Sequence, residues 1–125
     1  VSAQASSKRI LVVEDDEDAA ELLAETLQLR GFQVAIAHSG ADALHAAARF
    51  EPDVALLDLG LPDMDGVELC PRLRALPRPP GRLIALTGYA GDPSLLVAAG
   101  FDRCLLKPVA TDALLGALEG LSPPA

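Results

Sequence analysis

In this 125-residue chain, a polar residue able to do chemistry closes each of four short apolar runs. Glu14 and Asp15 follow Ile10 to Val13, and Asp58 follows Val54 to Leu57. Thr87 ends the run that begins at Leu83, and Lys107 follows Leu105-Leu106. An acid pair, a lone Asp, a hydroxyl and an ammonium are what phosphoryl transfer requires. That reaction needs a nucleophile, a place for a cation, and charged clamps, because positioning and charge stabilisation do most of the catalysis.

Each residue also has an ordinary explanation. The acids Glu14 to Asp18 would favour a helix N-terminus, by ~0.3–1 kcal/mol for each charge. Five adjacent acids repel one another, however, and a hard divalent cation with oxygen ligands would relieve that repulsion; Mg2+ typically takes one or two carboxylates plus phosphate. Asp58 could be a turn residue before Leu59-Gly60-Leu61-Pro62, or a nucleophile that forms an aspartyl-phosphate. Carboxylates facing each other do not both ionise cheaply, so Asp58 opposite Glu14 and Asp15 implies a metal or a lysine close by. Lys107 supplies the lysine, and the Lys107-Pro108 bond admits a cis form that would fix the direction of the ammonium. Thr87 suits any strand, yet its hydroxyl could donate to a phosphoryl oxygen. Tyr89 is either an exposed loop residue or a shield over the site. His38, His45, Cys70 and Cys104 stand in no metal-ligand or phosphohistidine pattern.

These residues need strands and helices to hold them. Apolar runs alternate with helical patterns, as in repeated βα units around a parallel sheet. Strands are expected at 9–13, 33–37, 54–57, 83–87 and 103–106, and the first is continuous rather than alternating in apolar character, as a strand buried on both faces should be. Helices are expected between and after them. Gly31 and Pro52 should end the first two, Ser39 and Thr111 should cap the second and the last, and Pro93 should open the fourth. Pro71 should kink or shorten the third. The acids at 63, 65 and 68 are expected to be solvated. Every candidate residue then lies at the carboxyl end of a strand, where open parallel sheets bind ligands.

Half of the residues are hydrophobic but only 3% are aromatic, so Leu, Val, Ile and Ala must build the core. The net charge of −8 argues against nucleic acid and anionic membranes as partners. No apolar run approaches the ~20 residues that a bilayer span requires. The cysteines fit a reducing, cytoplasmic setting. Residues 1–7 read as linker or tag remnant, 8–121 as a single domain, and 122–125 as a linker or tail of a longer protein.

Val12-Val13-Glu14-Asp15-Asp16, Leu57-Asp58-Leu59-Gly60-Leu61-Pro62-Asp63-Met64-Asp65-Gly66, Ala85-Leu86-Thr87-Gly88 and Leu106-Lys107-Pro108 resemble the signatures of response-regulator receiver domains. The resemblance implies a three-layer, flavodoxin-like (βα)5 fold of strand order 2-1-3-4-5. It implies Asp58 as phospho-acceptor in a two-component phosphorelay, with Mg2+ (or Mn2+) held by Asp15, Asp58 and the Gly60 carbonyl and by Glu14 through water. Lys107 would clamp phosphoryl oxygens, and Thr87 would move onto them near the Gly88 amide. The donor would be a histidine kinase or histidine phosphotransfer domain, and the signal would pass through helix 4, strand 5 and helix 5. Cys104 occupies the place where family members carry Tyr or Phe, which puts the usual Thr-to-aromatic relay in doubt. Such a domain catalyses only its own phosphorylation and dephosphorylation. The run Leu86 to Tyr89 and the turn Gly100-Phe101-Asp102 look like receivers attached to hybrid sensor kinases.

Rival functions fit less well. A dinucleotide site would need glycines after the first strand, where this chain has acids that repel a pyrophosphate. Phosphatases with an Asp nucleophile place a second Asp two residues on, and here that residue is Gly60. A receiver fold used only for docking, without phosphorylation, is the remaining alternative.

Overall fold

The structure is a computed structural model that describes residues 8–88 and 93–118, with no side chains described for 93–95. Among these residues, five strands alternate with five helices. The strands are β1 (Arg9–Val13), β2 (Gln33–Ala37), β3 (Val54–Asp58), β4 (Arg82–Thr87) and β5 (Arg103–Leu106). The helices are α1 (Glu17–Gln28), α2 (Gly40–Phe50), α3 (Gly66–Arg74), α4 (Pro93–Ala99) and α5 (Thr111–Leu118). All four ladders are parallel and the order is β2-β1-β3-β4-β5. This is the flavodoxin-like order that the resemblance implied. After β2 the chain crosses to the other side of β1, so the winding reverses between β1 and β3 and opens a crevice at their carboxyl ends.

The continuous apolar runs of β1, β3 and β4 are explained by two cores, one on each face of the sheet, whereas the edge strand β5 is largely exposed. Side chains alternate along a strand. Leu11 and Val13 of β1 and Ala55 and Leu57 of β3 therefore pack with Ala43, Leu69 and Leu73 under α2 and α3. Ile10, Val12, Val54 and Leu56 pack on the opposite face with Leu27 of α1 and Leu114 and Leu118 of α5. All five residues of β3 are buried, Asp58 included.

Caps fix where the helices begin. Asp16 accepts from the amides of Asp18 (3.0 Å) and Ala19 (3.3 Å) at the start of α1. The acidic run is thus divided: Asp16 caps the helix, Glu17 and Asp18 lie in its first turn, and Glu14 and Asp15 remain at the strand end. Ser39 caps α2 through the Asp42 amide at 3.1 Å. Thr111 does not cap α5, because Leu114 donates to the Ala110 carbonyl (3.0 Å) and Thr111 is already helical. A hydroxyl cap is worth only about 1 kcal/mol, less than seating Leu114, Ala117 and Leu118 in the core. Pro71 does not end α3 either, since Ala75 donates to its carbonyl at 3.1 Å. The carbonyl that loses a partner to Pro71 belongs to Val67, an exposed residue.

Arg74 ties α3 to the turn before β5. Its guanidinium donates to the Gly100 carbonyl (2.9 and 2.6 Å) and to Asp102 (2.8 Å), which also accepts from the Leu83 amide (2.8 Å). Among the described residues, no helix is long and apolar enough to cross a membrane.

Candidate functional site

At the carboxyl ends of β1 and β3, one oxygen each from Glu14, Asp15 and Asp58 lies within 4.8 Å of the others. The ladder carries Glu14 into place: its amide donates to the Ala37 carbonyl at 3.0 Å, one step beyond the last β1–β2 pair. Glu14 is 2% exposed and Asp58 9%, whereas Asp15 faces solvent. Lys107 reaches over from the end of β5. Its Nζ donates to Glu14 Oε1 at 2.7 Å and lies 3.3 Å from Asp58 Oδ1. The Lys107-Pro108 peptide is cis, and the Lys107 amide donates to the Thr87 carbonyl at 2.7 Å.

Burial makes Glu14 hard to ionise and holds its carboxyl above the usual range, against the pull of Lys107 and with the Asp58 charge acting in the same direction as burial. Burial also acts to raise Asp58, but hydrogen bonding with Glu14, the Gly60 amide and Lys107 outweighs it and leaves Asp58 below its usual value. Desolvation works against the charge on Lys107, and the two carboxylates more than compensate, so its ammonium is held more firmly than usual. When one acid must hold a proton, Glu14 takes it and Asp58 stays ionised. A carboxylate that keeps its charge inside a protein is a competent nucleophile and a competent cation ligand.

Gly60 sits at the head of the β3–α3 loop, and its amide donates to Asp58 Oδ1 at 3.2 Å. Thr87 is buried at the end of β4, one residue past the partner of Asp58 in the ladder, and exposed Gly88 follows it. Cys104 pairs in register with Ala85 on the edge strand and is exposed. Tyr89 lies outside the described residues. The structure therefore brings Glu14, Asp15, Asp58, Gly60 and Lys107 together and puts Thr87 at the end of the adjoining strand.

The three acids expected to be solvated are exposed, and each also has a structural role. Asp63 accepts from the amides of Gly40 (2.7 Å) and Ala41 (3.0 Å), which holds its carboxyl below the usual range. Asp65 caps α3 through the Val67 amide at 3.0 Å, and Glu68 lies within that helix, 3.7 Å from Arg72. The Asp65-x-x-Glu68 spacing is a helix-start signal that was available in the sequence. For Asp63 no local signal exists, because its partners are more than twenty residues away. His38 also belongs to this end of the sheet, with Nδ1 2.9 Å from the Glu14 carbonyl oxygen.

A family model described as the response regulator receiver domain matches residues 10–119. The chain belongs to the response regulator receiver family. Among relatives of this receiver domain, the transcriptional regulatory protein KdpE of Mycobacterium tuberculosis is 38% identical over 110 residues, 88% of this chain and 49% of KdpE. The DNA-binding response regulator MtrA of Mycolicibacterium paratuberculosis is 39% identical over 101 residues, 81% of this chain and 45% of MtrA. The chain thus spans about half the length of the curated relatives it matches. A CheY-like receiver domain from Methylobacillus flagellatus superposes with a TM-score of 0.84 at 36% identity, covering 94% of this chain and all of that one. The BeF3-activated N-terminal receiver domain of Klebsiella pneumoniae RstA gives 0.80 at 33% identity, covering 88% and 94%.

Proposed function

We propose that this receiver domain takes a phosphoryl group from a phosphohistidine onto Asp58, with Mg2+ or Mn2+ bound beside it, and passes the change to a partner surface. One observation carries the reading: carboxylate oxygens from two strand ends lie within 4.8 Å of one another, with the Lys107 ammonium against both buried acids.

The donor set of hard oxygens fits a hard divalent cation. Asp15, Asp58 and the Gly60 carbonyl would hold it, with Glu14 acting through water, and the ion would neutralise charge on the phosphoryl oxygens. Asp58 attacks phosphorus as the P–N bond of the phosphohistidine breaks, and the bonding pair leaves on the imidazole nitrogen, which takes a proton. Lys107 shifts from the acids towards the transferred oxygens. The Thr87 hydroxyl and the Gly88 amide donate to the remaining oxygens. Water later cleaves the acyl-phosphate. An apolar groove of about 350 Å3 between α1 and α5, lined by Leu22, Leu23, Leu86 and Val109, opens beside Glu14 and Lys107 and suits the approach of the donor protein.

Phosphorylation adds a charge of about −1.5 to −2, which must bias an element able to adopt two arrangements. The face formed by α4, β5 and α5 is the proposed relay. Cys104 offers no ring there, so the coupling from Thr87 runs without the usual aromatic rotation. The relatives named as transcriptional regulators favour a DNA-binding output domain in the parent protein over a hybrid sensor kinase. Similarity to a receiver that BeF3 activates supports a phosphoryl-dependent switch over a docking-only module.

Incubation with acetyl phosphate and Mg2+ tests the proposal. The chain should gain one phosphoryl group by intact mass, and Asp58→Asn should gain none. A chain that stays unlabelled is a docking module; one that turns over donor catalytically without a stable adduct is a phosphatase.

A further inference from the structure

The loop that follows Asp58 is anchored at both ends. At its base, the Gly60 amide holds Asp58 Oδ1 (3.2 Å), Gly60 pairs with Asp65, and the Gly66 amide donates to the Leu59 carbonyl (3.0 Å). At its tip, the Asp63 carboxylate spans two amides of α2, Gly40 at 2.7 Å and Ala41 at 3.0 Å. An α-helix leaves its first amides without partners. Here Ala43 donates to the Ser39 carbonyl, Asp42 donates to the Ser39 hydroxyl, and Asp63 alone takes the other two. Met64 completes the contact, since a Cβ on residue 40 would overlap its side chain, with the sulfur 2.7 Å away. Gly40 thus leaves room for the Met64 side chain where the loop meets the helix.

The second anchor point leads back to the acids. His38, two residues before Gly40, bonds the Glu14 carbonyl at 2.9 Å. Hydrogen bonds and short chain links together connect Glu14, His38, the start of α2, Asp63, Gly60 and Asp58. Ser39 caps the same helix through the Asp42 amide, and its hydroxyl takes no part in the bonds from Asp63.

We propose that Asp63 is a positioning residue for the site, a carboxylate strut that uses the start of α2 to set the height of Gly60 and of the carbonyl offered to the cation. The inference rests on the metal-dependent function proposed above. Asp63 touches neither the phosphoryl group nor the cation.

Ser39→Ala and Asp63→Ala each remove helix-capping bonds, and only the second frees the loop, so the pair separates positioning from stability. Hydrogen exchange of the amides from Gly60 to Gly66, measured without metal, should be faster in Asp63→Ala than in Ser39→Ala or wild type. Mg2+ affinity by calorimetry should fall about tenfold in Asp63→Ala, the lower end for residues that support metal ligands, and stay within about twofold of wild type in Ser39→Ala. Asp63→Asn, which keeps one acceptor oxygen, should recover part of the loss. Equal loss of affinity in Ser39→Ala and Asp63→Ala, or loop exchange in Asp63→Ala that matches wild type, would overturn the proposal. Wild type that binds no Mg2+ would instead overturn the metal-dependent function, while loop exchange still decides the strut.

Discussion

Burial makes Glu14 the carboxylate that gives up its charge first, and this has a measurable sign. Its folded-state proton is held above the ordinary value of 4.5, so ionised Glu14 lowers stability at neutral pH. That penalty fades as pH falls through the raised value towards 4.5. Asp58 behaves oppositely: held below 3.8, its ionised form adds stability at neutral pH, and the contribution is lost only as pH drops through its lowered value. Lys107 contributes below 10.5 and loses its contribution as pH rises through a still higher value. Between neutrality and pH 4.5 only Glu14 changes state among the three. Metal-free wild type should therefore gain stability relative to Glu14→Gln over that interval, as read from urea melts at both pH values. A gap that stays constant would show that Glu14 titrates normally. The strand-end acids could be picked out from the sequence because a strand buried on both faces is an unbroken apolar run whose first polar residue marks its exit. The Lys107–Glu14 contact could not be read that way. It depends on strand order, with β3 and β4 lying between the two residues.

The corner between β3 and α3 shows how elements turn sequence into geometry. A Cβ at Gly66 would lie 2.8 Å from Leu59 Cδ2, 2.9 Å from Leu59 Cα and 3.0 Å from the Asp58 carbonyl oxygen. Two of those atoms are backbone and cannot swing away. Gly66→Ala is expected to destabilise the fold by about 1–3 kcal/mol through overpacking, checked by chemical denaturation. It should also weaken Mg2+ binding, because the atoms that must yield belong to Asp58 and its neighbour. Helix positions were predictable where periodicity and punctuation agreed, as at Ser39 and Pro93. They were not where punctuation stood alone: the local preference of Thr111 for a cap position is overridden by the packing of α5, and α3 runs on past Pro71. Asp63 lies beyond any local rule, since only the folded sheet brings the β3–α3 loop against α2.

Taken whole, the molecule carries a charge of −8 and gathers three of its carboxylates at one end of the sheet. Folding brings Asp58 against the neighbouring Glu14 and Asp15, from which an unfolded chain holds it apart, so a cation that binds only the folded form adds to stability. At a free Mg2+ concentration a hundred times its Kd the gain is about 2.7 kcal/mol, on the order of 10 °C in Tm for a domain of this size. Calorimetric melts with and without Mg2+ test it, and Asp15→Asn should lose most of the increment. The two cores have a further consequence. Along β1 and β3, neighbouring residues belong to opposite faces, so sliding either strand by one residue would turn both cores inside out together. Asp58 therefore cannot creep along its axis: the smallest available displacement is a whole residue, about 3.3 Å, and it inverts every side chain in the strand. The placement of its carboxylate is digital, and the buried methyl groups of both cores, remote from the site, check it for errors.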